Sequence, residues 1–276
     1  MKRVKNPQFN FSSQNLGIER KFFKISAILN YSVNLNSCLD FFQRNLFKKE
    51  REAFLHEAIL LRSLDHPKIV KFYATFENAT QLVLITELMS EGSLSEYMTK
   101  KFQYMDQWIV DRAYLKSWCT QILMGLKYLH NQGIAHRDLK NDNFFVNEDQ
   151  VYGVVKIGDV GLSRLKSASS LMHTACDTRW FWAPELFQKN PNYDEAVDRY
   201  AFGAAIFHMA TGEFPYDQEC SDADSLELQV TSGIPPMVSH HRIEKKLEEI
   251  IIASMSHDKK DRPSLKKMSD FFDKYE

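Results

Sequence analysis

The stretch IAHRDLKNDNFF, Ile134 to Phe145, decides how the rest of the chain is read. It sets a carboxylate at Asp138, an ammonium at Lys140 and an amide at Asn143 on one short loop. Transfer of a phosphoryl group to a hydroxyl asks for those groups: an acidic oxygen beside the attacking group, a cation beside the moving phosphate, and oxygen ligands for Mg2+. The setting matters as much as the residues. Upstream, AYLKSWCTQILMGLKYLHNQG carries Leu115, Trp118, Ile122, Leu126 and Leu129 at i+3/i+4 spacing, which predicts an amphipathic helix with Gly133 as its C-cap. Downstream, FFVN (Phe144–Asn147) reads as a short strand. A solvated charged turn is the plain alternative, and the order of the later motifs weighs against it.

Working outward, IVKFYATF (Ile69–Phe76) and QLVLITEL (Gln81–Leu88) carry the β-branched and aromatic residues of strands. Between Lys48 and Leu64, Phe54, Ala58 and Leu61 stand at helical spacing among charges. VVKIGD (Val154–Asp159) reads as a second short strand, with Asp159 at its end before a turn at Gly161. Asp159 is therefore a candidate second Mg2+ ligand, against the ordinary alternative of a loop aspartate. Ala201–Met209 and Ile243–Met255 read as buried or amphipathic helices. A strand-rich front and a helix-rich back predict an α+β chain of two lobes with a ligand cleft between them.

Composition sets limits. With 276 residues and 44% hydrophobic content the chain can bury a large core. Lys and Arg number 35 against 36 Asp and Glu, so there is no basic field for nucleic acid. Cys38, Cys119, Cys176 and Cys220 are far apart and form no CxxC pair, which argues for free thiols in a reducing compartment rather than a zinc site. The opening MKRVKNPQFNFSSQ is charged with no apolar run behind it, and no stretch reaches the roughly 18 apolar residues of a membrane span. A cytoplasmic protein without a membrane span is the expectation.

With these motifs assembled, the chain resembles the protein kinases from about Lys21 onward: HRDLKNDN matches their catalytic loop, DVG at Asp159–Gly161 their DFG motif, and Ala183-Pro184-Glu185 their APE motif. LKSWCTQILMGLKYLH, KIGDVGL, VDRYAFG, MATGEFPY and VTSGIPP further resemble stretches of the with-no-lysine (WNK) Ser/Thr kinases. The resemblance implies a two-lobed kinase fold over 1–276, with a small β-rich N-lobe with one helix at 1–89 and a larger α-helical C-lobe at 90–276. It implies ATP and Mg2+ as cofactors and a protein hydroxyl as acceptor. Asp138 becomes the base or hydroxyl-orienting group, Lys140 the stabiliser of the transferred phosphate, and Asn143 and Asp159 the Mg2+ ligands. Thr86 becomes the gatekeeper, the Glu87–Met89 backbone the adenine site with Phe145 beneath it, and Glu57 the glutamate of the N-lobe helix. Glu185 is expected to pair with a buried Arg262, and Asp198 to accept backbone hydrogen bonds from the catalytic loop, where an N-cap role is the alternative.

Three departures carry information. The strand that bears the nucleotide lysine in most kinases reads VNLNSCLDFF (Val33–Phe42), with Cys38 or Leu39 at that position. WNK kinases share this absence and supply the lysine from the preceding strand, which points to Lys21; a solvent-facing lysine is the alternative. Of the Gly-rich loop only Gly17 remains, in a chain with 10 glycines in all. In the activation segment Asp177 precedes Thr178, the residue matching the Thr that selects Ser/Thr substrates. Thr174 falls at the WNK phosphosite, where a phosphate from an upstream or trans-autophosphorylating kinase would face Arg137; Ser169 and Ser170 are alternatives. The resemblance also implies a chloride site near Gly161 and Leu162, with Phe72 and Leu84 as walls. A pseudokinase acting as a scaffold is the alternative function that the lost glycines leave open.

Overall fold

The computed structural model describes residues 58–77, 82–102, 110–147, 151–160, 176–188, 194–220, 222–237 and 243–275, with the backbone alone at 76–77, 82–84 and 176–178. Lys21, Glu57, Thr174, Gly17, Gly161 and Leu162 lie outside these residues, as does the side chain of Thr178.

The front of the described chain is a helical segment α1 (58–63) followed by an antiparallel pair, β1 (Phe72–Glu77) and β2 (Leu82–Thr86). The first strand starts later than Ile69. The reason is a competing partner: Val70 N–H donates to Ile157 O at 2.8 Å and Ile157 N–H to Lys68 O at 2.9 Å. Residues 68–70 thus cross to the second sheet before β1 begins. Likewise β2 stops at Thr86 and Leu88 is exposed, because the chain there turns into a linking segment.

The rest is mainly helical: α2 (Leu94–Phe102), α3 (Arg112–Asn131), α4 (Ala196–Thr211), α5 (Ala223–Ser232), α6 (Lys245–Ser254) and α7 (Leu265–Asp273). A hairpin of β3 (Phe144–Asn147) and β4 (Val154–Ile157) lies against α3. Leu115, Trp118, Ile122, Leu126 and Leu129 are all buried, so the periodicity read on α3 is its core face. Gly125 sits mid-helix because a Cβ there would come within 2.8 Å of Lys68 O and 2.9 Å of the Ile157 side chain. It is what lets residues 68–70 and β4 lie flat on α3.

Helix α4 is buried nearly all round, as its apolar run predicts, and it crosses α6 closely where Gly203 meets Ser254. Its N-cap is Glu195, which puts Asp198 inside the first turn rather than at the cap. Helix α6 begins at Lys245, not Ile243. Among the described residues no helix is long and apolar enough to cross a membrane.

Candidate active site

The catalytic-loop stretch is delivered by the end of α3. Gly133 takes φ +70°, a left-handed conformation that glycine adopts without strain. Its N–H donates to His130 O, and Ile134 N–H reaches back to Leu129 O, both at 2.9 Å. This paired closure ends the helix and sends the chain toward α4.

There the loop meets Asp198. Its fully buried carboxylate accepts the N–H of His136 and of Arg137, each at 2.7 Å, and His130 Nε2 at 2.8 Å. A buried carboxylate needs such donors, since an uncompensated one would be expelled. In return it holds Arg137 at φ +68°, a conformation a non-glycine residue keeps only under constraint.

His136 ties this loop to the strand that bears Asp159. Its Nε2 lies 2.8 Å from Gly158 O, and its Nδ1 accepts from Asp138 N–H at 3.3 Å. A carbonyl only accepts and a backbone N–H only donates, so the ring is held in the neutral tautomer protonated at Nε2. Asn143 closes the circuit. Its Nδ2 donates to Asp138 O at 2.7 Å, and its own carbonyl accepts Gly158 N–H at 2.9 Å. Asp138 and Asn143 are nearly buried, and Asp159, next to Gly158, takes φ +51°. Asp138 and Asn143 are thus linked through buried hydrogen bonds to each other and to Gly158, the residue that precedes Asp159.

The amide orientation bears on a metal. With Nδ2 committed to Asp138 O, Asn143 keeps its carbonyl-type oxygen as the free acceptor, and Asp159 adds carboxylate oxygens. Such hard donors suit Mg2+, which is commonly held by one or two protein oxygens together with substrate phosphates. Among the described residues no group of three or more His, Cys, Asp or Glu is gathered for a metal.

Between β2 and α2 runs the segment expected to meet adenine. Thr86 Oγ1 donates to Glu87 O at 3.3 Å, Glu87 N–H to Lys71 O at 2.8 Å, and Met89 is buried. The segment is bonded onto the hairpin: Glu91 N–H donates to Val146 O, Val146 N–H to Gly92 O, and Ser93 bridges Phe145. Phe145 packs on Gly158, where a Cβ would lie within 2.6 Å of the ring.

Below the loop, Glu185 and Arg262 form the expected pair. Arg262 donates Nη1 to Glu185 Oε1 at 2.7 Å and to Ala196 O at 3.0 Å, Nη2 to Glu185 Oε2 at 2.8 Å and to His257 O at 3.1 Å, and Nε to Ser256 O at 2.8 Å. All five of its N–H donors are used. The guanidinium also lies 5.1 Å from the Tyr200 ring. Burial pushes the Tyr200 phenol well up and that of its neighbour Tyr216 to about 12, so both stay neutral beside it.

Three contributors escaped the sequence reading. His130 and His136 serve as hydrogen-bonded links, the first to Asp198 and the second between Asp138 and Gly158. The third is His208 on α4, whose Nδ1 accepts from Asn141 Nδ2 at 3.1 Å, beside the rings of Phe181 and Phe214. A histidine in a largely apolar helix was the one signal for it. Burial lowers the His208 pKa to about 4, with the Asp142 charge opposing. Because the folded value lies below the unfolded 6.5, stability is full above about pH 6.5 and falls as pH drops toward 4. We expect urea midpoints at pH 7.5 and pH 5 to show a loss of roughly 2 kcal/mol in the parent, and a clearly smaller difference in His208→Gln. Equal differences in the two proteins would refute this assignment.

The protein kinase domain family matches residues 39–271. The chain is 41% identical over 229 residues to the serine/threonine-protein kinase WNK3 of Mus musculus, covering 81% of this chain and 12% of that protein. It is 42% identical over 229 residues to WNK2 of Homo sapiens, covering 81% and 9%, and 43% identical over 202 residues to WNK of Caenorhabditis elegans, covering 70% and 10%. The chain thus spans a small part of the length of these relatives. Among solved structures, Rad53 1–466 in complex with AMP-PNP superposes with a TM-score of 0.66 at 27% identity, covering 80% of this chain and 54% of that one. The Rad53 kinase domain with SCD2 gives 0.64 at 26%, covering 81% and 77%. The described α+β architecture is the two-lobed fold of those kinase domains.

Proposed function

This chain belongs to the protein kinase domain family, and from that premise we propose that it is a WNK-like Ser/Thr protein kinase that moves the γ-phosphate of ATP, with Mg2+, to a protein hydroxyl. The observation that carries the reading is the buried circuit joining Asp138, Asn143 and Gly158–Asp159. Phosphoryl transfer needs little covalent help from protein; it needs groups held in place before the substrate arrives.

In this reading Asp138 accepts the proton of the attacking hydroxyl as its oxygen bonds the γ-phosphorus and the bond to the β,γ-bridging oxygen breaks, with ADP as the leaving group. Lys140 offsets charge on the transferred phosphate. The Asn143 oxygen and the Asp159 carboxylate hold Mg2+, which when bound screens the phosphate charges. Adenine lies against the Glu87–Met89 backbone above Phe145, with Thr86 at the back. Lys21 and Glu57 supply the N-lobe part of the phosphate site, within a lobe of residues 1–89 that leads into a C-lobe of 90–276. Thr178 bears on the choice of Ser/Thr hydroxyls. Thr174 takes a phosphate from an upstream or neighbouring kinase, and Gly161 with Leu162 binds chloride. A cytoplasmic location completes the reading.

The test is incubation with Mg2+ and labelled ATP. The parent should incorporate phosphate, and Lys21→Met should lose activity on the order of a hundredfold, as for loss of one preorganised charge partner. Full activity in Lys21→Met would end the substitute-lysine assignment while leaving the kinase reading intact. A parent that shows neither phosphate transfer nor a nucleotide-induced thermal shift would overturn the kinase reading itself.

A further inference from the structure

The segment linking β2 to α2 is held to the β3–β4 hairpin by two different kinds of contact. Its far end is held by two backbone bonds, Glu91 N–H to Val146 O and Val146 N–H to Gly92 O, with Ser90 N–H also donating to the Asn147 side-chain Oδ1 at 2.7 Å. Its near end relies on one side chain. The Glu87 carboxylate accepts Lys71 N–H on Oε1 and Lys156 Nζ on Oε2, both at 2.6 Å. The Glu87 and Lys156 side chains are only 15% and 16% exposed, so this is a charge-assisted contact largely out of water.

Lys156 has a defined place in this arrangement. It stands directly opposite Phe145 in the β3–β4 register, so the two side chains share one face of the hairpin. The linking segment pairs along the edge of β3, where Ser93 bridges Phe145, and the Lys156 side chain reaches its near end at Glu87. A second cation is close by: Lys68, whose ammonium is turned to Gln121 Oε1 at 2.7 Å. Burial, and after it the charge of Lys156, lowers the Lys68 pKa. Lys156 is thus set between a like charge and the Glu87 carboxylate, and the contact that relieves it runs to the linking segment.

We infer that Lys156, acting through the Glu87 carboxylate, is a positioning residue for the nucleotide, fixing the Glu87–Met89 backbone over Phe145 where the adenine ring would lie. The inference rests on the kinase reading above and names a residue that touches neither phosphate nor metal in it. Without the pair, the far end of the segment stays bonded to the hairpin and the near end is held only to Lys71, by Glu87 N–H to Lys71 O and by Lys71 N–H to the Glu87 side chain. Nucleotide affinity then falls, because binding must order that backbone, while the groups around Asp138 are untouched.

Two readouts on the full chain separate this from a merely structural role. In nucleotide-free protein, amide exchange at Lys71 and across 87–89 should rise about tenfold in Lys156→Met and in Glu87→Gln, with α3 amides unchanged and Lys156→Arg close to the parent. In turnover assays, KM for ATP should rise about tenfold in Lys156→Met with kcat within about twofold, and Lys156→Arg should restore it. Unchanged exchange in Lys156→Met overturns the inference whatever the kinetics. Faster exchange with KM unchanged or lowered also overturns it, since the contact would then restrain the segment without aiding nucleotide. A parent that turns over no ATP, with exchange behaving as expected, places the failure in the kinase reading and ends the nucleotide part of the inference with it.

Discussion

Asp138→Asn is expected to lower phosphate transfer on the order of a thousandfold, with the thermal midpoint close to that of the parent. The substitution keeps the size of the side chain and removes its charge and its ability to take a proton. Two of the contacts that place the residue belong to its backbone: its carbonyl accepts from Asn143 Nδ2, and its N–H donates to His136 Nδ1. Both survive the change, so chemistry and folding come apart in this variant. The measurement is initial-rate transfer from labelled ATP to a protein acceptor, with a melting curve on the same preparation. A loss of only a few fold would show that the carboxylate takes no part in the transfer. A collapsed melting curve would show that its charge is needed for folding.

The second large effect is on stability. Arg262→Met is expected to cost about 3–5 kcal/mol, read as a shift of the urea midpoint. The reason is what the substitution leaves behind more than what it removes. Glu185 would keep a carboxylate only 13% exposed with its two-pronged partner gone. The carbonyls of Ala196, Ser256 and His257 would each lose a donor. Arg262→Lys should fall between the parent and Met, since an ammonium restores charge but cannot make five bonds in a planar fork. Adding Glu185→Gln to Arg262→Met should recover part of the loss, because no buried charge is then unpaired. If Arg262→Met shifted the midpoint by less than about 1 kcal/mol, the pair would be behaving like an exposed one.

The parts of the fold legible in the chain were those with a local cause. Helix α3 announces itself through apolar spacing and a glycine at its end, and the β3–β4 hairpin through two short β-rich runs around Gly153. Less legible were element ends that depend on a distant competitor. Nothing local to Ile69 and Val70 says that Ile157 will pair with them ahead of β2. For Asp198 the family resemblance implied the acceptor role that its bonds bear out, whereas its local window alone reads equally as a helix cap. Only the arrival of residues 136–137 against α4 turns it into an acceptor for the loop.

By itself the sequence determined which groups are present and in what order: the acidic, basic and amide residues of Ile134–Phe145, the aspartate after β4, and the alternation of apolar and polar positions that makes the elements. Those follow from covalent order and short-range backbone preference, which any window of the chain carries. Tertiary structure alone decided which hydrogen-bonding group meets which: the tautomer of His136, the left-handed backbone at Arg137, the neutrality of His208, and the grip of Lys156 on Glu87. A buried polar group must find a complementary partner or be excluded from the core, and that partner is chosen by the packing of segments far apart along the chain.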